Sequence, residues 1–269
     1  MVAASLLLAA GATMTLLCFP IFTPQLPKRR NFTGRNVPTS AGLLFIPIIL
    51  VTLVLAMAGV LGVGGGKVAY LVYAFVAAVV GFVDDIGGGS VARGFRGHIG
   101  ALKRGRVTTG FIKVVVLGGG AVVFGMAVYG FTIEALVAGF LLAGSVNLAN
   151  LLDLRPGRAL KFLGVPTLFM LLVAPYVAVL AVIGIVGGAL GLFYFDLKGR
   201  IMLGDAGAAV YGSIVGYLVV IDGPGPIWWV AGAVILGLTL LAEVSSISRI
   251  IQEVGVLRRF DEWGRGGDE

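Results

Sequence analysis

The sequence is poor in the residues on which soluble folds and most metal sites depend. Charged residues make up only 12% of its 269 positions, and there is one cysteine and one histidine. Cys18 alone forms neither an intrachain disulfide nor a cysteine-based metal site, and His98 alone cannot make a multi-histidine zinc site. The longest polar segment, about residues 85–110, is too short to fold as a separate soluble domain.

Apolar residues supply most of the chain instead. They make up 58% of the residues, and the mean hydropathy is +1.04. These values lie far outside the range of soluble globular domains. The sequence therefore predicts an all-α, multi-pass protein of the cell membrane (plasma or inner membrane), in which residues 1–269 form one transmembrane domain.

The apolar runs predict the number of membrane crossings, because a helix needs ~20 apolar residues to span the bilayer core. About nine spans, within limits of eight to ten, are predicted at residues 2–23, 41–62, 66–84, 111–129, 132–150, 162–177, 179–195, 206–221 and 226–244. The segment 162–195 is short for two crossings and long for one, and Pro175 and Gly184 are candidate turns or kinks. Two crossings are predicted, because a single one would leave Asp205 across the membrane from Asp153.

The basic residues orient the chain. None precedes the first span and three follow it closely, so this span is predicted to be retained with its N-terminus outside. All but two of the 20 Lys and Arg residues then fall in cytoplasmic segments, the exceptions being Lys67 and Lys113. This bias follows the positive-inside rule. It accounts for the net charge of +7 without a nucleic-acid partner.

The last cytoplasmic segment in this topology is residues 245–269. Five apolar residues between Ile247 and Leu257 recur in it at helical spacing, with charged residues between them. The pattern is typical of an amphipathic helix that lies on the membrane surface or against the cytoplasmic loops.

Four of the 13 acidic residues stand at predicted cytoplasmic ends of spans, namely Asp84, Asp85, Asp153 and Asp205. A charged side chain near hydrocarbon costs at least ~2.5 kcal/mol, so adjacent carboxylates there need a compensating partner. Mg²⁺ is usually held by one or two carboxylates together with phosphates and water. Converging acids would therefore bind a diphosphate through the metal. The alternative is that they are solvated loop residues or partners of nearby arginines.

Other polar residues are candidates for substrate contacts. Lys113 enters a span where a phosphate could approach from the cytoplasm, or else its side chain snorkels at a helix end. Asn147 and Asn150 share a helix face with Asp153 and would contact either a ligand or another helix. His98 lies in a loop among arginines. It either contacts a phosphate or sugar or is a solvated loop residue.

Five stretches taken together resemble a known family. They occur in the family's order, cover most of the chain, and read VPTSAGLLF (37–45), GFVDD (81–85), HIGALKRGRVTTGFIK (98–113), NLANLLDLRPGRALK (147–161) and MLGDAGA (202–208). The family is that of the polyprenyl-phosphate N-acetylhexosamine-1-phosphate transferases, which includes phospho-N-acetylmuramoyl-pentapeptide transferase.

The resemblance implies an enzyme that transfers a sugar 1-phosphate from a UDP-sugar to a polyprenyl phosphate, releasing UMP, for cell-envelope glycan synthesis. It implies an active site at the cytoplasmic face and a requirement for Mg²⁺, with Mn²⁺ as an alternative. Asp205 matches a metal ligand of the family, and Asp84 and Asp85 match paired aspartates assigned to the lipid phosphate or the metal.

Further residues match positions at which the family binds substrate. Lys113 matches a basic residue on the substrate phosphates. Asn147 and Asn150 match a polar face beneath the nucleotide, together with Asp153, a candidate catalytic residue. Thr39, in the first matching stretch, and His98 are the remaining candidates for substrate binding.

Three departures from the family limit which substrate is carried over. The second Asp-Gly that often follows the position of Asp153 is replaced by LRPGR, and the histidine-rich motif of the last cytoplasmic loop is absent. The chain is also expected to have nine spans where the muramoyl-pentapeptide enzymes have ten. A simpler UDP-N-acetylhexosamine is therefore the expected donor.

Several alternatives remain open from the sequence. The lipid phosphate attacks the β-phosphorus directly, or the reaction passes through a covalent aspartyl intermediate. Acids beside glycine-rich helices also suit a cation-coupled membrane transporter, and a non-catalytic structural membrane protein could keep the same fold. A homodimer is also left open.

Overall fold

The structure is a computed structural model that describes residues 1–62, 64–87, 100–101 and 103–265. One short antiparallel hairpin, β1 (Lys28–Arg30) and β2 (Asn36–Pro38), places Arg29 opposite Val37. The main helices are α1 (Val2–Phe22), α2 (Ile46–Met57), α3 (Gly65–Gly87), α4 (Thr109–Tyr129), α5 (Ile133–Leu152), α6 (Arg158–Val173), α7 (Tyr176–Leu197), α8 (Gly204–Asp222), α9 (Pro226–Val244), α10 (Ile247–Glu253) and α11 (Gly255–Glu262). Two 3₁₀ turns, Thr23–Gln25 and Ala41–Phe45, follow α1 and precede α2.

Among the described residues, seven helices are long and apolar enough to cross a bilayer, namely α1, α3, α4, α5, α7, α8 and α9. Two shorter helices, Ala41–Met57 and α6, occupy the remaining predicted spans. The prediction of a helical protein with several membrane-length apolar segments is therefore confirmed.

The segment 162–195, ambiguous in the sequence, is divided between two helices. The break falls at Ala174 and Pro175, because proline disfavours the helical conformation of the residue before it. Asp153, just before α6, and Asp196, near the end of α7, line the same pocket. The chain therefore returns along α7 to the face of the bundle from which α6 departs.

Helix α8 lies at the centre of the bundle and packs against α3, α5 and α6. Every residue from Ala206 to Val220 is buried. Two helices can approach each other closely only where small residues lie between them. A Cβ atom on Gly81 of α3 would stand 2.5 Å from the carbonyl oxygen of Asp205. Gly81 thus sets the distance between α3 and the first turn of α8.

The C-terminal segment differs from the single amphipathic helix that its sequence predicts. It forms two short helices, α10 and α11, with an extended residue, Val254, between them. A β-branched residue followed by Gly255 weakens a helix at that point. Ile251 is buried, so the segment packs against the rest of the protein.

The substitution Gly81→Ala is expected to lower the apparent melting temperature of the detergent-solubilised protein by roughly 2–10 °C, because overpacking typically costs ~1–3 kcal/mol. Gly118→Ala is the matched control, since a Cβ atom at this helical glycine meets nothing within 4 Å. Equal melting temperatures for the two variants would show that α3 and α8 are not in close contact.

Candidate functional site

Two of the matching stretches pair through their backbones just before α2 and α8. The Met202 amide donates to the Pro38 carbonyl at 2.8 Å, and the Ala41 amide donates back to the Met202 carbonyl at 3.2 Å. The Gly42 amide donates to the Leu203 carbonyl at 3.1 Å. The segments 37–42 and 202–207 therefore form one unit, although they lie far apart in the sequence.

Asp85 joins a third stretch to this unit. Its carboxylate accepts the Ser40 hydroxyl at 2.8 Å, the Asp205 amide at 3.0 Å and the Ala206 amide at 3.3 Å. The first amides of a helix lack partners within the helix and carry partial positive charge, so a carboxylate stabilises them. Asp85 is only 5% exposed and both of its oxygens are engaged. The structure therefore places this predicted catalytic residue as a cap on α8.

Two residues with positive φ lie beside the same carboxylate at this junction. Ser40 is the one non-glycine residue with positive φ in the described ranges, at 63°. Such a conformation costs of order 1 kcal/mol and persists only where surrounding contacts hold it. Gly204 has φ of 73°, and a Cβ atom there would stand 2.6 Å from Oδ2 of Asp85. Only glycine suits that position.

Lys113 lies between two of the predicted acids. Its Nζ is 2.9 Å from Oδ1 of Asp205 and 3.5 Å from Oδ2 of Asp84. Thr109 donates its hydroxyl to the other oxygen of Asp84 at 2.6 Å. The starts of α4 and α8 and the end of α3 thus meet at one ammonium group.

On the other side of Asp205 lies a cavity of about 220 Å³, here named the acid pocket for its four acidic residues, Asp85, Asp153, Asp196 and Asp205. Asp196, which the sequence reasoning missed, accepts the Gly157 amide at 3.0 Å. It ends an apolar run in the same way as the predicted acids, so the signal was present.

Asp153 is repelled by three neighbouring carboxylates. Burial raises the pKa of its carboxyl well above the usual range, and the neighbouring carboxylates of Asp196, Asp205 and Asp85 raise it further. A bound cation would relieve this repulsion by neutralising the charges.

Basic and aromatic residues form another part of the wall. Arg29 and Asn31 of the hairpin line the acid pocket with Thr39, the predicted substrate contact, which is buried. The Arg155 guanidinium lies 5.0 Å above the ring of Phe32, and both residues also line the pocket. The pocket thus presents carboxylates on one side and a guanidinium with an exposed aromatic ring on the other.

The other predicted substrate contacts lie away from the acid pocket or outside the described residues. Asn147 contacts α9, where its amide donates to the Thr239 hydroxyl at 3.4 Å. Asn150 has a buried side-chain oxygen without a hydrogen-bond partner among the described residues. His98 lies outside the residues that the structure describes.

The acids partly meet the requirements of a metal site. In the described ranges, no three Asp, Glu, His or Cys side chains stand close enough together to chelate one ion. Mg²⁺ needs only one or two carboxylates when phosphates and water complete its shell. Asp153 and Asp205 line one pocket and repel each other, which fits such a site.

An apolar groove of about 270 Å³ lies between α6, α7 and α8. Its lining includes Leu160, in the first turn of α6, and Phe193, which stands one helical turn before Asp196 of the acid pocket on α7. The groove therefore begins close to the acid pocket and continues along the helices toward the opposite face of the bundle.

No protein-family model matches this chain, and no curated protein matches it. The functional assignment accordingly depends on the residues and their arrangement.

In a chelator, the substitution Asp153→Asn is expected to raise the apparent melting temperature at pH 8. A raised carboxyl pKa means that the folded state disfavours the ionised form. Ionised Asp153 therefore lowers the free energy of unfolding above that pKa, and this loss of stability vanishes below pH ~4, the pKa of an unfolded aspartate. The gain should shrink as the pH is lowered. The exposed Glu243→Gln is the control. A variant that melts below the wild type at pH 8 would mean that Asp153 makes a net favourable contact.

Proposed function

We propose that this protein belongs to the polyprenyl-phosphate N-acetylhexosamine-1-phosphate transferases and, with Mg²⁺, transfers a sugar 1-phosphate from a UDP-sugar to polyprenyl phosphate. The products are polyprenyl-diphospho-sugar and UMP, for cell-envelope glycan synthesis. The observation that carries the proposal is the convergence on Asp205. Its carboxylate contacts Lys113 on one side and lines the acid pocket with Asp153 on the other.

The chemistry of phosphoryl transfer suits this arrangement. Such reactions ask the protein mainly for positioning and for neutralisation of charge on the phosphates. Asp205 and Asp153 would hold the metal, which when bound neutralises charge on the diphosphate. Lys113 adds a positive charge that the protein itself supplies, at the edge of the same site.

The two remaining predicted catalytic acids take different roles in this proposal. Asp85 is committed to the first turn of α8 and acts by positioning Asp205. Asp84 has one oxygen beside Lys113 and is the better candidate for keeping the attacking lipid phosphate ionised. In the direct reaction an oxygen of that phosphate bonds to the β-phosphorus as the bond to the UMP oxygen breaks. A covalent aspartyl intermediate is the alternative route.

The surroundings of the acid pocket suit two different substrates. Phe32 is 45% exposed and stacks with Arg155, so an aromatic and guanidinium surface faces the mouth of the pocket, where a nucleotide would enter. The apolar groove below the pocket would take the hydrocarbon tail of the lipid substrate. The proposed topology has nine spans, with the N-terminus outside and the site at the cytoplasmic face.

The substitution Asp205→Asn is expected to lower Mg²⁺-dependent transfer at least about 100-fold. It removes one of the two carboxylates proposed to hold the metal that neutralises charge on the phosphates. The assay supplies labelled UDP-GlcNAc and other UDP-sugars, polyprenyl phosphate and Mg²⁺, and measures label in the extracted lipid. Asp222→Asn, at the other end of α8, is the control and should keep full activity.

The outcomes of this assay separate the candidate functions. Lipid-linked label that is lost in Asp205→Asn and kept in Asp222→Asn supports the transferase. Full activity of Asp205→Asn would contradict the metal assignment. Label that stays aqueous with every UDP-sugar would contradict the transferase and favour the cation-coupled carrier.

The proposed orientation predicts a labelling pattern in a Cys18→Ser background. Thr33 lies in the hairpin beside the acid pocket, and Phe131 lies between α4 and α5 at the opposite end of the bundle, 93% exposed. A membrane-impermeant maleimide should label Phe131→Cys in intact cells but Thr33→Cys only after permeabilisation. The reverse pattern would place the acid pocket outside.

A further inference from the structure

The start of α6 is tied to the C-terminal segment by a buried ion pair. Arg158 is fully buried, and its Nε and Nη2 donate to the two carboxylate oxygens of Asp261, each at 2.8 Å. Its Nη1 donates to the Ser248 hydroxyl at 2.7 Å. One guanidinium therefore contacts both α10 and α11. Paired geometry of this kind is stronger and more specific than a single charged hydrogen bond.

Arg265 extends the ion pair toward the acid pocket. It donates to both oxygens of Asp261, at 2.6 and 3.0 Å, and its Nε donates to the Pro156 carbonyl at 2.8 Å. Asp261 is thus shared between two arginines, and one of them contacts the backbone of the 153–157 loop. The loop and the C-terminal segment cannot separate without breaking these bonds.

Two lysines add contacts between the same parts of the chain. The Lys161 ammonium donates to the carbonyl oxygens of Asp261 and Trp263. The Lys198 ammonium, just after α7, donates to the Gly264 carbonyl at 2.9 Å. The segment is therefore also fixed to α6 and to the end of α7, the helix that carries Asp196.

The C-terminal segment acts on the acid pocket only through other residues. None of the described residues between 247 and 265 lines the pocket, whereas Leu154, Arg155 and Pro156 of the held loop do, together with Asp153. The loop is also held from below, where the Gly157 amide donates to Asp196. It is thus fixed on two sides.

We propose that residues 247–265 form a C-terminal clamp on the 153–157 loop, in which Asp261, Arg158 and Arg265 are positioning residues that hold Asp153 and Arg155 in the acid pocket. The proposal deepens the proposed function, on which its catalytic consequence rests. Loss of Asp261 would leave Arg158 buried without its carboxylate partner, and loss of Arg265 would remove the bond to the Pro156 carbonyl, so either change should release the loop.

The clamp should persist at any physiological pH. Burial raises the pKa of Asp261, but the hydrogen bonds and charges of Arg158 and Arg265 outweigh that effect and lower the pKa to about 2. A carboxyl with a lowered pKa stabilises the folded state above its unfolded pKa, and the stabilisation is lost as the pH falls toward the lowered value. The clamp therefore stays intact throughout the physiological pH range.

Hydrogen exchange on the full-length protein tests the clamp without any assay of activity. Asp261→Asn keeps the shape of the side chain, and Arg265→Gln removes the link to Pro156 while leaving the Arg158–Asp261 pair in place. Both should speed exchange of amides in 153–158 by roughly tenfold or more, with no change between α4 and α5. Glu262→Gln, exposed in the same segment, should change nothing. Faster exchange confined to 247–265 would overturn the proposal.

A Mg²⁺ titration separates positioning from general stability. The midpoint of the Mg²⁺-induced rise in melting temperature should shift to higher concentration by roughly tenfold in both variants, as for residues that orient metal-binding groups. A purely stabilising role would lower every melting temperature and leave the midpoint unchanged, which would contradict positioning. A wild type without any Mg²⁺ response would contradict the metal assignment of the proposed function, while hydrogen exchange would still decide the clamp.

Discussion

The carboxylate of Asp85 is the contact on which the rest of the site depends. It accepts the first amides of α8 and the Ser40 hydroxyl, so it joins three stretches that are distant in the sequence. A buried carboxylate is costly unless every oxygen is satisfied, and here the helix terminus and a hydroxyl satisfy it. Gly81 lies one helical turn before Asp85 on the same helix, and its close approach to α8 allows this contact. Asp205 lies in the first turn of α8, so its position is fixed by this cap.

A second constraint is the concentration of negative charge beside that cap. Four aspartates line one small cavity, and the carboxylates of Asp196, Asp205 and Asp85 repel that of Asp153 even though Arg29 and Arg155 also line the cavity. Such crowding lowers stability, and proteins keep it where function needs it. The proposed Mg²⁺ would neutralise part of this negative charge. The hairpin and the C-terminal clamp then have the same effect. Both hold in place the walls of a cavity whose carboxylates repel one another.

Some parts of this fold could be predicted from local sequence patterns, and others could not. Apolar runs give helix positions directly, and Pro175 marks the break between α6 and α7 because its ring restricts the preceding residue. The positions of four acids at the ends of predicted spans led to the prediction that Asp84, Asp85, Asp153 and Asp205 meet. In the structure Asp85, Asp153 and Asp205 line one pocket, and Asp84 lies beside Lys113. The cap made by Asp85, by contrast, is a tertiary contact between residues 120 positions apart. From the sequence, Arg158 is predicted to be a cytoplasmic loop residue. It is buried in the structure because it pairs with Asp261, 103 positions away in the sequence. Asp196 had the same pattern as the predicted acids and could have been found.

Asp205 and Asp153 are proposed to hold one divalent cation beside Lys113. The test is anomalous scattering from crystals of the protein grown with Mn²⁺, because manganese can be located independently of the protein atoms. One peak is expected in the acid pocket, in contact with Asp205. A peak elsewhere on the protein, with the acid pocket containing only water, would contradict it.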